Sequence, residues 1–269
     1  LNELLLNINK LKKTIYNNNS LGFVPTMGAL HKGHISLIKK SQKISKKTLV
    51  SIFINPKQFN KKSDYLKYPR KIKNDLQKLR KIKVDYVFIP KKKEIFHMKR
   101  KKKIKLHKFS NSLCGKYRPG HFYSVVDVVD RLLSIIKPKF IFLGEKDFQQ
   151  LILIKKFTYK KHNTKVISCK TVRDKNGMAL SSRNLLLNKI EKKIGSKVYK
   201  FLFFELKKLR NKKLKFMPEY IKNKILNFGV TKIDYIKLLN LKKIDNSYKN
   251  ENRIFIAYYL NKVRLIDNI

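Results

Sequence analysis

The chain predicts an α/β protein: a Rossmann-like, doubly wound parallel sheet followed by a smaller C-terminal α+β domain. Three observations carry that expectation. Apolar, strand-like runs alternate with amphipathic helical patterns through the first two thirds of the 269 residues, and such a series implies parallel strands joined by right-handed crossovers. One run, Leu49-Val50-Ser51-Ile52-Phe53-Ile54, is nearly continuous in apolar character, as a strand covered on both faces requires. After about Thr171 the rhythm changes to a polar loop, a long helical pattern and closing strands.

The elements follow in order. Strands are expected at 22–25, 48–54, 84–89, 139–143 and 165–169, with helices between them at 35–47, 68–81, 124–136 and 148–160. A polar loop at 173–184 holds Gly177. A helix at 189–212 follows from Ile190, Ile194, Val198, Leu202 and Leu206 at helical spacing. A second helix is expected at 218–227 and strands at 234–239, 253–260 and 262–267, the last two joined by a short reversal at 259–262. The division into domains is placed at 1–172 and 173–269.

Composition narrows the class. Hydrophobic residues make up 42% of the chain, enough for a real core, and no apolar run approaches the roughly 20 residues that span a bilayer. Residues 1–12 carry Glu3, Asn7 and Asn9 among their leucines and lack the pattern of a secretory signal. Cys114 and Cys169 stand alone in sequence, which argues against a zinc site or a disulfide framework. A cytoplasmic protein without membrane attachment is expected. The net charge of +49 is mostly Lys, is spread along the whole chain, and travels with abundant Asn, Ile, Phe and Tyr and no Trp. That pattern reads as biased coding composition rather than as a footprint for specific nucleic-acid binding. The dense basic run at 91–105 is expected as a solvated loop or edge.

The most informative segment is Pro25-Thr26-Met27-Gly28-Ala29-Leu30-His31-Lys32-Gly33-His34, which joins a strand to a helix. Free N–H groups and the helix dipole favour an anion there. Two histidines three residues apart add directed donors on the same side, so the expected guest is a phosphate chain. After the next strand, Asn55 and Gln58 offer amides that suit a small carboxylate-bearing molecule, although Asn55-Pro56 also starts turns readily. After a third strand, Gly144-Glu145-Lys146-Asp147 offers a close backbone approach, a cation for phosphate and a carboxylate for Mg²⁺; an acidic helix start would explain the two acids but not the lysine between them. Leu180-Ser181-Ser182-Arg183 matches a phosphate clamp or a helix cap. Arg118-Pro119-Gly120-His121-Phe122 forms a turn into a helix, where His121 alone reads as structural. No Ser-His-Asp order, paired carboxylates, P-loop or GxGxxG is present. What remains suits attack of a bound carboxylate on an α-phosphate, catalysed by positioning and charge neutralisation.

With these motifs in order, the chain resembles the pantoate–β-alanine ligase family of the HxGH nucleotidyltransferase superfamily. The resemblance runs nearly end to end, through 25–34, 51–59, Tyr68-Pro69-Arg70, 118–122, 144–150 and 180–184, and closes with Arg264-Leu265-Ile266-Asp267-Asn268. It implies a two-step reaction with ATP and Mg²⁺ in which pantoate forms pantoyl adenylate and β-alanine then displaces AMP. ATP contacts carry over to Pro25, Met27, Gly28, Ala29, Leu30, His31, Lys32, Gly33, His34, Gly144, Glu145, Lys146, Asp147, Val172, Leu180, Ser181, Ser182 and Arg183. Within that set His34, His31, Lys146 and Arg183 are the expected catalytic residues. Gln58, Gln150, Asn55, Tyr68 and Arg118 are the expected pantoate and β-alanine contacts, and Asp147 and Asp75 the metal candidates. A homodimer is implied. Cys114 stands where the family usually has Glu, which leaves Arg118 without an acidic partner in sequence. Another HxGH-type nucleotidyltransferase, with a different acceptor, is the alternative reading.

Overall fold

A computed structural model of the chain describes residues 3–97, 103–211 and 215–269. It divides into two units, Leu1–Glu145 with Gln149–Lys170, and Lys146–Phe148 with Thr171–Ile269.

The first unit runs β1 (Glu3–Leu5), α1 (Ile8–Ile15), β2 (Leu21–Thr26), α2 (Lys32–Ile44), β3 (Lys47–Ile52), α3 (Lys62–Lys67), α4 (Ile72–Lys81), β4 (Tyr86–Phe88), α5 (Lys92–Ile95), α6 (Cys114–Tyr117), α7 (His121–Ile136), β5 (Phe140–Gly144), α8 (Phe148–Lys161) and β6 (Lys165–Cys169). Its six strands form one parallel sheet in the order β1-β4-β3-β2-β5-β6, the doubly wound fold expected from sequence. From β2 the chain winds outward through β3 to β4, then returns to add β5 and β6 on the other side. The switch point lies between β2 and β5, where Gly22 pairs with Phe140 and Phe23 with Ile141. Ligands bind such sheets outside the carboxyl ends of strands at this place. One face of the sheet is covered by a core that includes Val24, Leu30, Leu37, Ile38, Val50, Leu79, Val87 and Phe142. Helix α7 is buried along most of its length, including its polar Asp127 and Asp130. Asp130 answers that burial by accepting from Lys161 Nζ at 2.8 Å and His162 Nε2 at 2.7 Å.

The structure departs from expectation at three places here. β1 and α1 lie outside the expected elements; Asn7 caps α1 by accepting from the Lys10 N–H, and the three-residue β1 pairs with β4 to complete the sheet. The helix expected at 68–81 starts only at Ile72, as α4, and a separate short helix, α3, precedes it at Lys62–Lys67. Pro69 excludes Tyr68 from helical backbone, and Tyr68 is extended with ψ 128°. Of the basic run at 91–105, Lys92–Ile95 is helical, while residues 98–102 lie outside the described residues.

The second unit contains α9 (Lys189–Arg210), α10 (Pro218–Asn227), β7 (Lys232–Asn240), α11 (Leu241–Ile244), β8 (Asn252–Leu260) and β9 (Val263–Asn268). Its three strands form an antiparallel sheet in the order β7-β8-β9. Asn188 and Glu191 cap α9 reciprocally, each accepting from the other's backbone N–H. Val198, Leu202 and Leu206 of α9 then pack with Ile221, Ile225, Ile254 and Ile256. Asn261, at φ 49°, makes the reversal between β8 and β9. Among the described residues, no helix is long and apolar enough to cross a membrane.

Candidate active site

The segment between β2 and α2 forms a tight corner. Gly28 and Ala29 both take positive φ, 77° and 49°, which glycine adopts without strain and alanine does not. Thr26 Oγ1 donates to the Ser51 carbonyl at 2.8 Å and accepts from the Gly28 N–H. The next two N–H groups, of Ala29 and Leu30, turn inward and donate to Asp75 Oδ2 and Oδ1, each at 2.7 Å. Asp75 lies on α4 and is only 1% exposed. One turn on, Lys78 Nζ donates to the Leu30 carbonyl at 2.6 Å. Helix α4 therefore braces the corner with one anion and one cation. Sequence reading names Asp75 as a metal candidate and misses both this brace and Lys78. The available signal is a helix whose Asp sits one turn before a Lys.

His31 is the N-cap of α2 and His34 its third residue. His31 Nδ1 accepts from the Gly33 N–H at 3.1 Å, and His34 Nδ1 accepts from the His31 N–H at 3.3 Å. The rings lie against each other with centroids 4.0 Å apart, tilted by 37°. Because both Nδ1 atoms accept, the hydrogen of each neutral ring sits on Nε2. Two imidazole Nε2–H donors thus join a helix N-terminus, a combination that suits a phosphate.

The amides beyond β3 divide by role. Asn55 is buried; its Oδ1 accepts from the Lys57 N–H and its Nδ2 donates to the Ser124 carbonyl at 3.1 Å. That is turn chemistry tying the end of β3 to α7. The side-chain amides of Gln58 and Gln150, both partly buried, have no hydrogen-bond partner among the described residues. Arg118 donates to Asn60 Oδ1, to the Gln58 carbonyl and to His121 Nε2. His121 Nδ1 donates to the same Gln58 carbonyl at 2.8 Å. These three acceptors are neutral, and His121 is part of the support of the guanidinium. Tyr68 is buried and packs edge-on against Phe59, ring centroids 5.5 Å apart.

Gln149, beside Gln150, is not singled out by sequence. Its Nε2 donates to the carbonyls of Phe109 and Ser112, at 2.6 and 2.7 Å, and its Oε1 accepts from the Cys114 N–H. It fixes the approach to α6, where Leu113 sits at φ 45°. Cys114 is buried in that turn. Cys169, at the end of β6, is buried too, and desolvation pushes its thiol above the ordinary range.

In the first unit Gly144 ends β5 and Glu145 follows it. In the second unit, Lys146 Nζ lies 3.6 Å from Asp147 Oδ1. The Leu180 N–H donates to the Val172 carbonyl at 3.0 Å, bringing those two expected ATP contacts together. Ser181 Oγ accepts from the Arg183 N–H and caps the short helical turn Ser182–Leu186, so the Ser-Ser-Arg-Asn run is a cap whatever else it contacts. Arg173, just before this loop, forms a two-pronged pair with Asp267 at 2.6 and 2.9 Å and lies over the Tyr199 ring.

Comparison with known proteins shows the family. The family model described as pantoate-beta-alanine ligase matches residues 3–269. Pantothenate synthetase of Francisella tularensis subsp. novicida (strain U112) is 41% identical over 270 residues, covering 97% of this chain and 93% of the relative. A crystal structure of pantoate-beta-alanine ligase from Francisella tularensis, complexed with beta-gamma ATP and beta-alanine, superposes with a TM-score of 0.84 at 39% identity, covering 100% of this chain and 97% of the other. Pantothenate synthetase from Thermus thermophilus superposes with a TM-score of 0.88 at 28% identity, covering 99% and 98%. With a match from the first strand to the last, and the helix-mouth histidines, braced corner and unpartnered glutamines in place, the chain belongs to the pantoate–β-alanine ligase family.

Proposed function

We propose that the chain condenses pantoate with β-alanine to pantothenate, consuming ATP and releasing AMP and pyrophosphate. A pantoate carboxylate oxygen attacks the α-phosphorus of ATP. The bond from that phosphorus to the bridging α–β oxygen breaks, and pyrophosphate leaves with the electron pair. The β-alanine amine then attacks the acyl carbon of pantoyl adenylate; the carbonyl carbon–oxygen bond to AMP breaks and the amine loses a proton. Neither step needs a protein nucleophile. Both need oriented partners and neutralised phosphate charge.

The observation that carries this reading is the β2–α2 corner, where the tautomers of His31 and His34 put Nε2–H donors at a helix N-terminus. Met27 through His34 are assigned to the phosphates and adenylate of ATP. Lys146, Ser181, Ser182 and Arg183 of the second unit are assigned to further phosphate contacts, and Gln58 and Gln150 to pantoate. Arg118 and Tyr68 support the acid site, and Asn55 shapes it from behind. The Francisella relative complexed with beta-gamma ATP and beta-alanine supports two of the three substrates.

Among the described residues, no group of three or more His, Cys, Asp or Glu side chains could hold a metal ion. Mg²⁺ then enters with ATP as the substrate complex, which needs no more than one or two protein carboxylates. Asp147 fits that part, being half-exposed beside Lys146; Asp75 already engages both oxygens with backbone. A cytoplasmic homodimer is the proposed physical form, on family resemblance. ATP–pyrophosphate exchange without β-alanine tests the reading. Exchange that requires pantoate is expected; exchange without it, or with a mononucleotide as the preferred acceptor, would assign the chain to another nucleotidyl transfer.

A further inference from the structure

The closing Arg264-Leu265-Ile266-Asp267-Asn268 segment has no role in the reaction as described, yet its last two side chains are both tied to other segments of the second unit. Asn268 is 5% exposed. Its Nδ2 donates to the Lys146 carbonyl at 3.0 Å, and its Oδ1 accepts from Arg253 Nη1 at 3.3 Å. Arg253 in turn lies over the Phe148 ring, which is buried edge-on against Tyr248 and tilted against Phe255. The three residues Lys146–Phe148 are thus held at both ends, by an amide on the Lys146 peptide and by an aromatic cluster on Phe148.

The neighbouring Asp267 does parallel work on the other phosphate segment. Its carboxylate takes both prongs of Arg173, whose Nη1 also reaches the Gly177 carbonyl and whose Nη2 reaches the Asn268 carbonyl. Arg173 bridges to Ala179, the residue before Leu180-Ser181-Ser182-Arg183. The end of the last strand therefore fixes the backbone under Lys146 and the backbone leading to Arg183.

We propose that Asn268 is a positioning residue for the adenylation step: its amide sets the Lys146 peptide so that the ammonium meets the phosphates of ATP, while Asp267 does the same for the Ser181–Arg183 loop through Arg173. The inference rests on the assignment of Lys146 and Arg183 to ATP. A lysine on a long flexible stem is useful to a transition state only where its peptide is fixed, and misplacement by about 1 Å costs on the order of 10²-fold in rate.

The test is a double-mutant cycle on ATP–pyrophosphate exchange, with the second step followed separately from supplied pantoyl adenylate and β-alanine. Asn268→Ala should raise KM for ATP and lower kcat of exchange, together by about 10–100-fold, and leave the second step within about twofold. In a Lys146→Ala background the same substitution should cost no further exchange activity, because residues acting as a unit are not additive. Asn268→Asp keeps the volume and the Arg253 pairing but not the donor, so it should fold and still show the ATP-selective loss. The proposal is overturned if either Asn268 variant exchanges with wild-type KM and kcat. It is also overturned if both half-reactions fall in the same proportion, or if the loss is undiminished in the Lys146→Ala background. Absence of pantoate-dependent exchange in the wild-type chain would instead sink the functional reading on which it stands.

Discussion

Asp75→Asn changes one side-chain atom and should be felt at the centre of the site. The carboxylate accepts from the Ala29 and Leu30 N–H groups, each at 2.7 Å, in a position 1% exposed. Asparagine keeps one acceptor and turns an NH₂ group toward the other N–H. One charge-assisted hydrogen bond is lost, about 1.5–3 kcal/mol, and a buried donor is left unsatisfied, about 1–3 kcal/mol. The brace also offsets the left-handed backbone of Ala29, which costs about 1–2 kcal/mol on its own. Relaxation of the corner recovers part of this, so a net loss of about 3 kcal/mol is expected, or about 6–12 °C in Tm. The loss should appear in thermal unfolding without ATP or Mg²⁺. Pantoate-dependent exchange should fall by about 10–100-fold, since the displaced backbone carries His31. A carboxylate needed for metal would behave differently: stability without Mg²⁺ would be unchanged and activity would return as Mg²⁺ is raised. That outcome would refute the brace.

Three further outcomes follow from the same geometry. His34→Ala should reduce pantoate-dependent exchange by about 10²–10³-fold, the scale for one preorganised donor; a variant at full rate would remove His34 from the phosphate site. Gly115→Ala should destabilise by about 1–3 kcal/mol, because a Cβ there would collide with the Ser110 carbonyl oxygen; an unchanged urea midpoint would contradict the close packing. Burial raises the Tyr258 phenol above the ordinary value of 10.0. Its contribution is complete below pH 10 and is lost above it, where the unfolded chain ionises and the folded one does not, at about 1.4 kcal/mol per pH unit. Tyr258→Phe should remove that alkaline slope in unfolding measured between about pH 9.5 and 11, and an unchanged slope would count against the burial argument.

The parts of this fold that are legible in sequence are those whose signal is local. Strands β2, β3, β5 and β6 are apolar runs that stop at Pro, Asn or Gly or at a polar loop, and the α9 stripe repeats at helical spacing. The helix-mouth histidines are legible because cap chemistry depends on residues three apart. Tyr68-Pro69 carries its own warning that the helix cannot begin at Tyr68, and the amphipathic pattern that follows conceals it. Strand β1 has only three residues, and its stability comes from pairing with β4, which no window on the sequence contains.

The supports of the site are hidden for the same physical reason. Asp75 meets the corner across 46 residues, and Asn268 meets Lys146 across 122. Their residue types fit many roles, and only the fold selects one. Asn55 illustrates the converse. Its position after a buried strand suggests substrate contact, but both ends of its amide are taken by backbone. Gln58 and Gln150, equally polar in sequence, differ by having side-chain amides with no partner among the described residues.

Pantoate labelled with ¹⁸O in its carboxylate tests the central claim most directly. Attack of that carboxylate on the α-phosphorus, followed by cleavage at the acyl carbon, must leave one labelled oxygen in AMP, as read by mass spectrometry after complete turnover with ATP and β-alanine. Label in AMP is the predicted result. Label in pyrophosphate or inorganic phosphate, or AMP formed without label, would show that the acid is not activated at the α-phosphate, and the account of the β2–α2 corner would fail with it.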